Sequence, residues 1–214
     1  MKTTIALLLF VLFSIDIANG QVFKTYGLKF GFTSATLNFE YSNSPWRPLL
    51  PQKYRRRSGF NIGAFAEWLN NPFFSVITQL EYSQRGVGED YYITGNDPTP
   101  IGTETLYGRL DYISLPIMAK IAFPIAFASP YLLIGPRADF LLGYQKNQPF
   151  EGFYDTFKKT TFGGVLGLGI ESNSLLPVGL SAEFRYNTDF SDSFDNGFTK
   201  IRNNAFDIWL GVAF

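Results

Sequence analysis

Apolar and polar residues alternate one by one through most of the chain, in segments separated by polar stretches. From about Thr25, Tyr26, Leu28, Phe30 and Phe32 fall on one face, with Gly27, Lys29 and Gly31 on the other. That period of two marks a strand. The parity then flips, because Leu37, Phe39 and Tyr41 are odd. Either a bulge sits near Ser34, or the strand leaves its apolar surroundings there. Seven more segments follow, at 60–68, 74–83, 112–121, 131–142, 163–171, 180–186 and 205–214. Pro116 interrupts the fourth, where a bulge or local break is expected.

The connections alternate between long and short. Long ones are expected at 42–57, 85–108, 143–159 and 187–203. Short ones are expected at Leu69-Asn70-Asn71-Pro72, a tight turn, and at 124–129 and 172–177. The cleanest alternations run about nine to eleven residues, the length a tilted strand needs to cross a bilayer. The last segment alternates as far as Phe214. A strand ordered to that point needs a neighbour on each side, which a closed barrel supplies. The expectation is an all-β, eight-stranded, antiparallel up-and-down transmembrane β-barrel, with the final segment sealing against 25–32.

Composition supports an apolar exterior. Of the 214 residues, 46% are hydrophobic and 18% aromatic, and only 17% are charged, against about 25% in a soluble domain. Ahead of the alternation, Met1-Lys2, an apolar run from Ile5 to Ile15 and the small residues of Ala18-Asn19-Gly20 form a signal-peptide pattern. The domain expectation is therefore a cleavable signal peptide at 1–20 and a barrel at 21–214. The soluble alternative is a periplasmic, ligand-binding calyx with its apolar face inside.

Four short stretches resemble the PorT-like outer-membrane β-barrel proteins of Gram-negative bacteria. They are Tyr112-Ile113-Ser114-Leu115-Pro116-Ile117-Met118-Ala119-Lys120, Pro130-Tyr131-Leu132-Leu133-Ile134-Gly135-Pro136, Gly27-Leu28-Lys29-Phe30-Gly31 and Ala182-Glu183-Phe184-Arg185-Tyr186. Ser114 departs from the Glu usual in that family. The resemblance implies the barrel fold and the outer membrane. It also implies a link to protein secretion, which PorT itself assists, and an aromatic carboxyl-terminal residue, here Phe214, read by barrel-assembly machinery.

The inward parity assigns Lys29, Lys120, Arg137 and Arg185 to the lumen, with Glu67, Glu81, Asp139, Glu171, Glu183 and Asp207. Isolated charges in a narrow interior are costly, so pairing is expected. The competing reading is a gated ion path. The chain has no His and no Cys. A His-activated serine is therefore closed, and soft-metal ligands are missing. No catalytic, cofactor or metal site is expected. Acidic residues Glu89, Asp90, Asp97 and Glu104, and Asp189, Asp192 and Asp195, read as solvated loop charges. The first long connection carries Arg47, Lys53, Arg55, Arg56 and Arg57, a candidate clamp for lipopolysaccharide phosphates. A net formal charge of +0 gives no case for nucleic acid. The expected partners are outer-membrane lipid, lipopolysaccharide, the assembly machinery and secretion proteins, with the chain itself a monomer.

Overall fold

The computed structural model describes residues 22–41, 54–94, 100–125, 128–145, 154–172 and 178–214. The signal-peptide segment, Arg47 and Lys53 lie outside them. The strands are β1 (Phe23–Tyr41), β2 (Arg55–Trp68), β3 (Phe74–Thr94), β4 (Pro100–Ala122), β5 (Ser129–Tyr144), β6 (Thr160–Ser172), β7 (Gly179–Asp189), β8 (Phe194–Asp195) and β9 (Thr199–Ala213). A 3₁₀ turn at Tyr154–Thr156 precedes β6. Each long strand pairs antiparallel with its neighbours, and β1 closes onto β9. The two-residue β8 pairs with β9 alone, so the ring has eight strands.

The register sets the dimensions of the ring. One path runs Trp68–Val76–Ala119–Ile134–Leu166–Tyr186–Phe206–Ser34–Ser58. It returns to β2 displaced by 68 − 58 = 10 residues. Eight strands about 4.8 Å apart with that stagger tilt by about 40° and enclose a radius of about 8 Å. Side chains fill such an interior.

The closing seam runs from Gly27↔Ala213 to Tyr41↔Thr199 without a shift, longer than the expected contact with 25–32. The Phe214 amide donates to the Tyr26 carbonyl at 2.8 Å, and the Thr25 hydroxyl donates to the Phe214 carbonyl at 2.6 Å.

Outside, the wall is apolar. On β9 Phe206, Ile208 and Leu210 are exposed, as is Phe214 just after it, and on β1 Tyr26, Leu28, Phe30 and Phe32. Nine residues at about 3.3 Å each, tilted by about 40°, stand roughly 23 Å tall, the height of a lipid-facing band. Inside, β1 buries Lys29, β9 buries Asp207, and the adjoining β7 buries Glu183 and Arg185. That orientation is the reverse of a calyx, so the soluble alternative falls.

Several expected boundaries are corrected. Segments 85–94 and 100–108, expected as loop, are strand, and β3 and β4 pair as far as Thr94↔Pro100. Much of 187–203 is likewise strand, and Arg55, Arg56 and Arg57 belong to β2. No bulge sits at Ser34, where the β1 register is continuous with both neighbours. Leu37 is buried because β1 keeps its parity while its surroundings change. Pro116 causes a local break without a bulge. Thr78↔Ile117 and Glu81↔Ser114 hold one register on either side of it, and Pro116 still pairs Arg137 across the other edge. Gly135 accommodates the crowding there, because a Cβ would lie 1.9 Å from the Ile117 carbonyl oxygen.

The seam yields a test. In Gly27→Val, the new Cβ would lie 2.0 Å from the Val212 carbonyl oxygen, so β9 cannot dock in register. Heat-modifiability on gels should show the compact, fast-migrating form lost. A folded fraction equal to wild type would place the closing contact elsewhere.

Candidate functional site

Inward residues of successive strands converge on the barrel axis, and the stagger sorts their charges into tiers. At the short-turn mouth, Glu67 accepts from Lys24 at 2.7 Å, Lys120 at 3.1 Å and the Ser75 hydroxyl at 2.6 Å. Lys120 also reaches Glu171 at 2.6 Å. Beside them Glu183 accepts from Lys29 at 2.6 Å and from the Tyr131 hydroxyl at 2.7 Å. Arg185 donates to Glu183 through Nε at 2.7 Å and to Gln79 at 2.9 Å. Glu81 lies 3.7 Å from Arg185 and accepts from Gln79 at 2.8 Å. A pocket of about 280 Å³ opens at this mouth, among Lys24, Lys29, Glu67, Lys120, Glu171 and Glu183.

A second tier lies deeper. Arg85 forks onto Asp139, at 2.7 and 3.2 Å. Arg137 binds Asp139 at 2.8 Å and Asp189 at 2.8 Å. Asp207 accepts from Asn187 at 2.6 Å. Aromatic rings line the other side of several cations. Lys29 sits 4.4 Å from the Phe65 centroid, Lys120 4.6 Å from Tyr131, Arg85 5.2 Å from Tyr112, and Arg185 5.2 Å from Trp209. Trp209, on the inward parity, is 0% exposed and fills the lumen.

Above the second tier the interior turns apolar. Leu37, Val87, Leu110, Tyr112, Phe157 and Ile201 form one buried cluster. They come from the long-connection side of the strands, so this cluster caps the lumen opposite the pocket.

All ten residues expected in the lumen face it. Three charged residues were missed: Lys24, Arg85 and Asp189. Arg85 continues the odd parity of Gln79, Glu81 and Ser83, and Asp189 that of Glu183, Arg185 and Asn187. Extending the alternation past the apolar band would have found both. Of the other acidic residues expected to be solvated, Asp97 lies outside the described residues, and Asp90, Asp192 and Asp195 are engaged. Asp90 accepts from Arg55 at 2.7 Å and Thr105 at 2.6 Å, and Asp192 accepts from Arg202 at 2.7 Å. Thr105 and Arg55 hold the Asp90 carboxyl below its ordinary value. This exposed brace therefore contributes above the ordinary carboxylate pKa and is lost as pH falls through the lowered one. The three described arginines of the proposed clamp separate. Arg55 pairs with Asp90, Arg56 turns to Ser34, and Arg57 reaches the Arg85 carbonyl at 3.5 Å. Among the described residues no cluster of three His, Cys, Asp or Glu could hold a metal ion.

A sequence model of the family described as "Outer membrane protein beta-barrel domain" matches residues 23–195. The chain belongs to that family. It is an integral outer-membrane β-barrel protein, as its apolar exterior requires. No curated protein sequence matches it. Among solved structures it is similar to Neisserial surface protein A, at 15% identity over 88% of this chain and 97% of that one, with a TM-score of 0.46. It is also similar to OprG from Pseudomonas aeruginosa, at 9% identity over 88% and 94%, with a TM-score of 0.47. Ail of Yersinia pestis matches at 14% identity over 89% and 98%, with a TM-score of 0.39.

The second tier hinges on Asp139, which serves two buried guanidinium groups. Asp139→Asn removes the carboxylate paired with Arg85 and leaves Arg137 with Asp189 alone, so stability should fall by about 3–5 kcal/mol. Urea unfolding in lipid vesicles, followed by tryptophan fluorescence, measures it. A change below about 1 kcal/mol would mean that the tier carries little of the fold.

Proposed function

We propose that this outer-membrane protein is a sealed scaffold, which anchors in the lipid and presents the strand extensions above its rim. The carrying observation is the occupied lumen, with two tiers of paired charges below a buried apolar cap. A conducting path would need water along the axis. Here Arg185 over Trp209 and the cap residues fill it with side chains. The absence of His adds to a non-enzymatic reading. Reconstituted in planar bilayers, the protein should give no discrete current steps. Reproducible single-channel events from the folded form would overturn the sealed reading.

A protein-partner role is the finer proposal, in line with the resemblance to PorT-like secretion factors. The β3–β4 ribbon favours it. This ribbon extends past Arg55↔Gly88, the last β2 pair, and past Leu110↔Tyr144, the last β5 pair. It exposes Ile93 and Ile101. Deleting residues 89–105 should leave the barrel folded on a heat-modifiability gel and abolish cross-links to a secretion component in whole cells. Unchanged cross-links would remove the ribbon from this role. Within the same proposal, Phe214 is read by the assembly machinery, lipopolysaccharide surrounds the outer half of the wall, and the barrel works as a monomer.

A further inference from the structure

Outside the lumen, one arginine on the barrel wall is held without a carboxylate. Arg56 is exposed on β2, just beyond the apolar band on the side of the long connections. Its Nε donates to Ser34 Oγ at 3.0 Å, and its Nη2 donates to the Ser34 carbonyl oxygen. Its guanidinium lies 4.8 Å from the centroid of the Phe206 ring. Arg55, Arg109, Lys200 and Arg202, near the same rim, each have a carboxylate within 4.0 Å. Among the described residues none pairs with Arg56.

The surroundings are ordered by the ladder. Ser34 faces Ser58 directly across β1 and β2, and the next outward pair toward the short-turn side is Phe32↔Phe60. Ser34 also faces Phe206 across the seam. Directly opposite residues share a face, so hydroxyls and a guanidinium stand immediately above the exposed Phe32 and Phe60 and beside the exposed Phe206. Stacking and the two contacts to Ser34 fix the guanidinium in place, and its remaining N–H groups are free to fork onto tetrahedral oxygens. A preoriented arginine loses little entropy on binding.

We infer that Arg56, with the Ser34 and Ser58 hydroxyls, binds the phosphate of an outer-leaflet lipid headgroup, and that an acyl chain of the same lipid lies against Phe32, Phe60 and Phe206. This rests on the lipid-facing orientation of the band and not on the sealed lumen, whose failure would appear as conductance. The site uses one of the five basic residues of the first long connection. It places the phosphate against the wall and not at the loop tip.

The test is native mass spectrometry of the folded full-length mature barrel in detergent, with defined lipid added. Lipid A carrying its phosphates and phosphatidylglycerol are the two phosphate probes. Phosphate-free lipid A and diacylglycerol are the matched controls. Arg56→Gln should reduce the phospholipid or lipid A adduct about tenfold, the loss of one charged hydrogen-bonding group. Arg56→Lys should keep part of the adduct, since an ammonium group neither forks nor stacks as well. Arg55→Gln, whose charge is already taken by Asp90, should bind as wild type does. An effect confined to lipid A assigns the site to lipopolysaccharide, and one confined to phosphatidylglycerol assigns it to phospholipid. Equal adducts for wild type and Arg56→Gln with both phosphate lipids overturn the proposal, as does an equal loss with the phosphate-free controls. A heat-modifiability gel on each variant keeps loss of binding separate from loss of folding.

Discussion

Inside a bilayer a backbone amide or carbonyl has no water to bond, so each must find its partner within the protein. A sheet with edges fails that demand, and a closed ring meets it. The seam between β1 and β9 is therefore the constraint from which the rest follows. Its fifteen successive pairs, Gly27↔Ala213 to Tyr41↔Thr199, leave neither terminal strand with an open side through the lipid. Closure with eight strands and a stagger of ten residues fixes a radius of about 8 Å. That radius decides the interior, because it is too narrow for bulk water and wide enough for long side chains reaching across.

The charge network is the answer to that interior. Lys, Arg, Asp and Glu enter because the lumen face of each strand need not be apolar, but burial makes a lone charge costly. Pairs that are distant in sequence resolve the cost. Lys29 meets Glu183, Arg85 meets Asp139, and Arg137 meets Asp189. Each of these contacts skips the strand between its partners, and Arg185 on β7 reaches Gln79 on β3, halfway round the ring, so the network braces the barrel across its lumen. Buried ion pairs of this kind contribute more to register and specificity than to net stability. A slip by one residue would turn every charge toward lipid.

Above the bilayer the rule reverses. The outward face of β1 becomes polar at Ser34, Thr36, Asn38 and Glu40, while Leu37 turns inward into a buried cluster with Val87, Leu110 and Ile201. The strand has not bulged. The solvent outside has changed from lipid to water, and the apolar residues have changed face with it. The same inversion carries β3 and β4 beyond the rim. It leaves a boundary zone where Arg56 can stand over Phe206 with its charge toward the headgroups.

How much of this was legible beforehand depended on which physical rule was acting. Within the bilayer, period-two alternation has one meaning, and it was enough to identify eight strands, their antiparallel order, the seam and ten inward charges. Beyond the bilayer the alternation persists but its sign inverts, so residues 85–94 and 100–108 read as loop in the sequence, and the lumen positions of Arg85 and Asp189 at the strand ends do not show there. The parity break at Leu37 was visible as a pattern, with two causes that sequence could not separate. The choice between lipid outside and lipid inside had the same character, since alternation is symmetric between the two faces. Composition favoured an apolar exterior, and the curvature of the closed ring settled it. The pairing of charges lay entirely beyond the sequence. Each strand fixes only the face on which Lys120 or Asp139 stands, whereas the partner depends on the stagger accumulated around eight strands, a property of the closed ring.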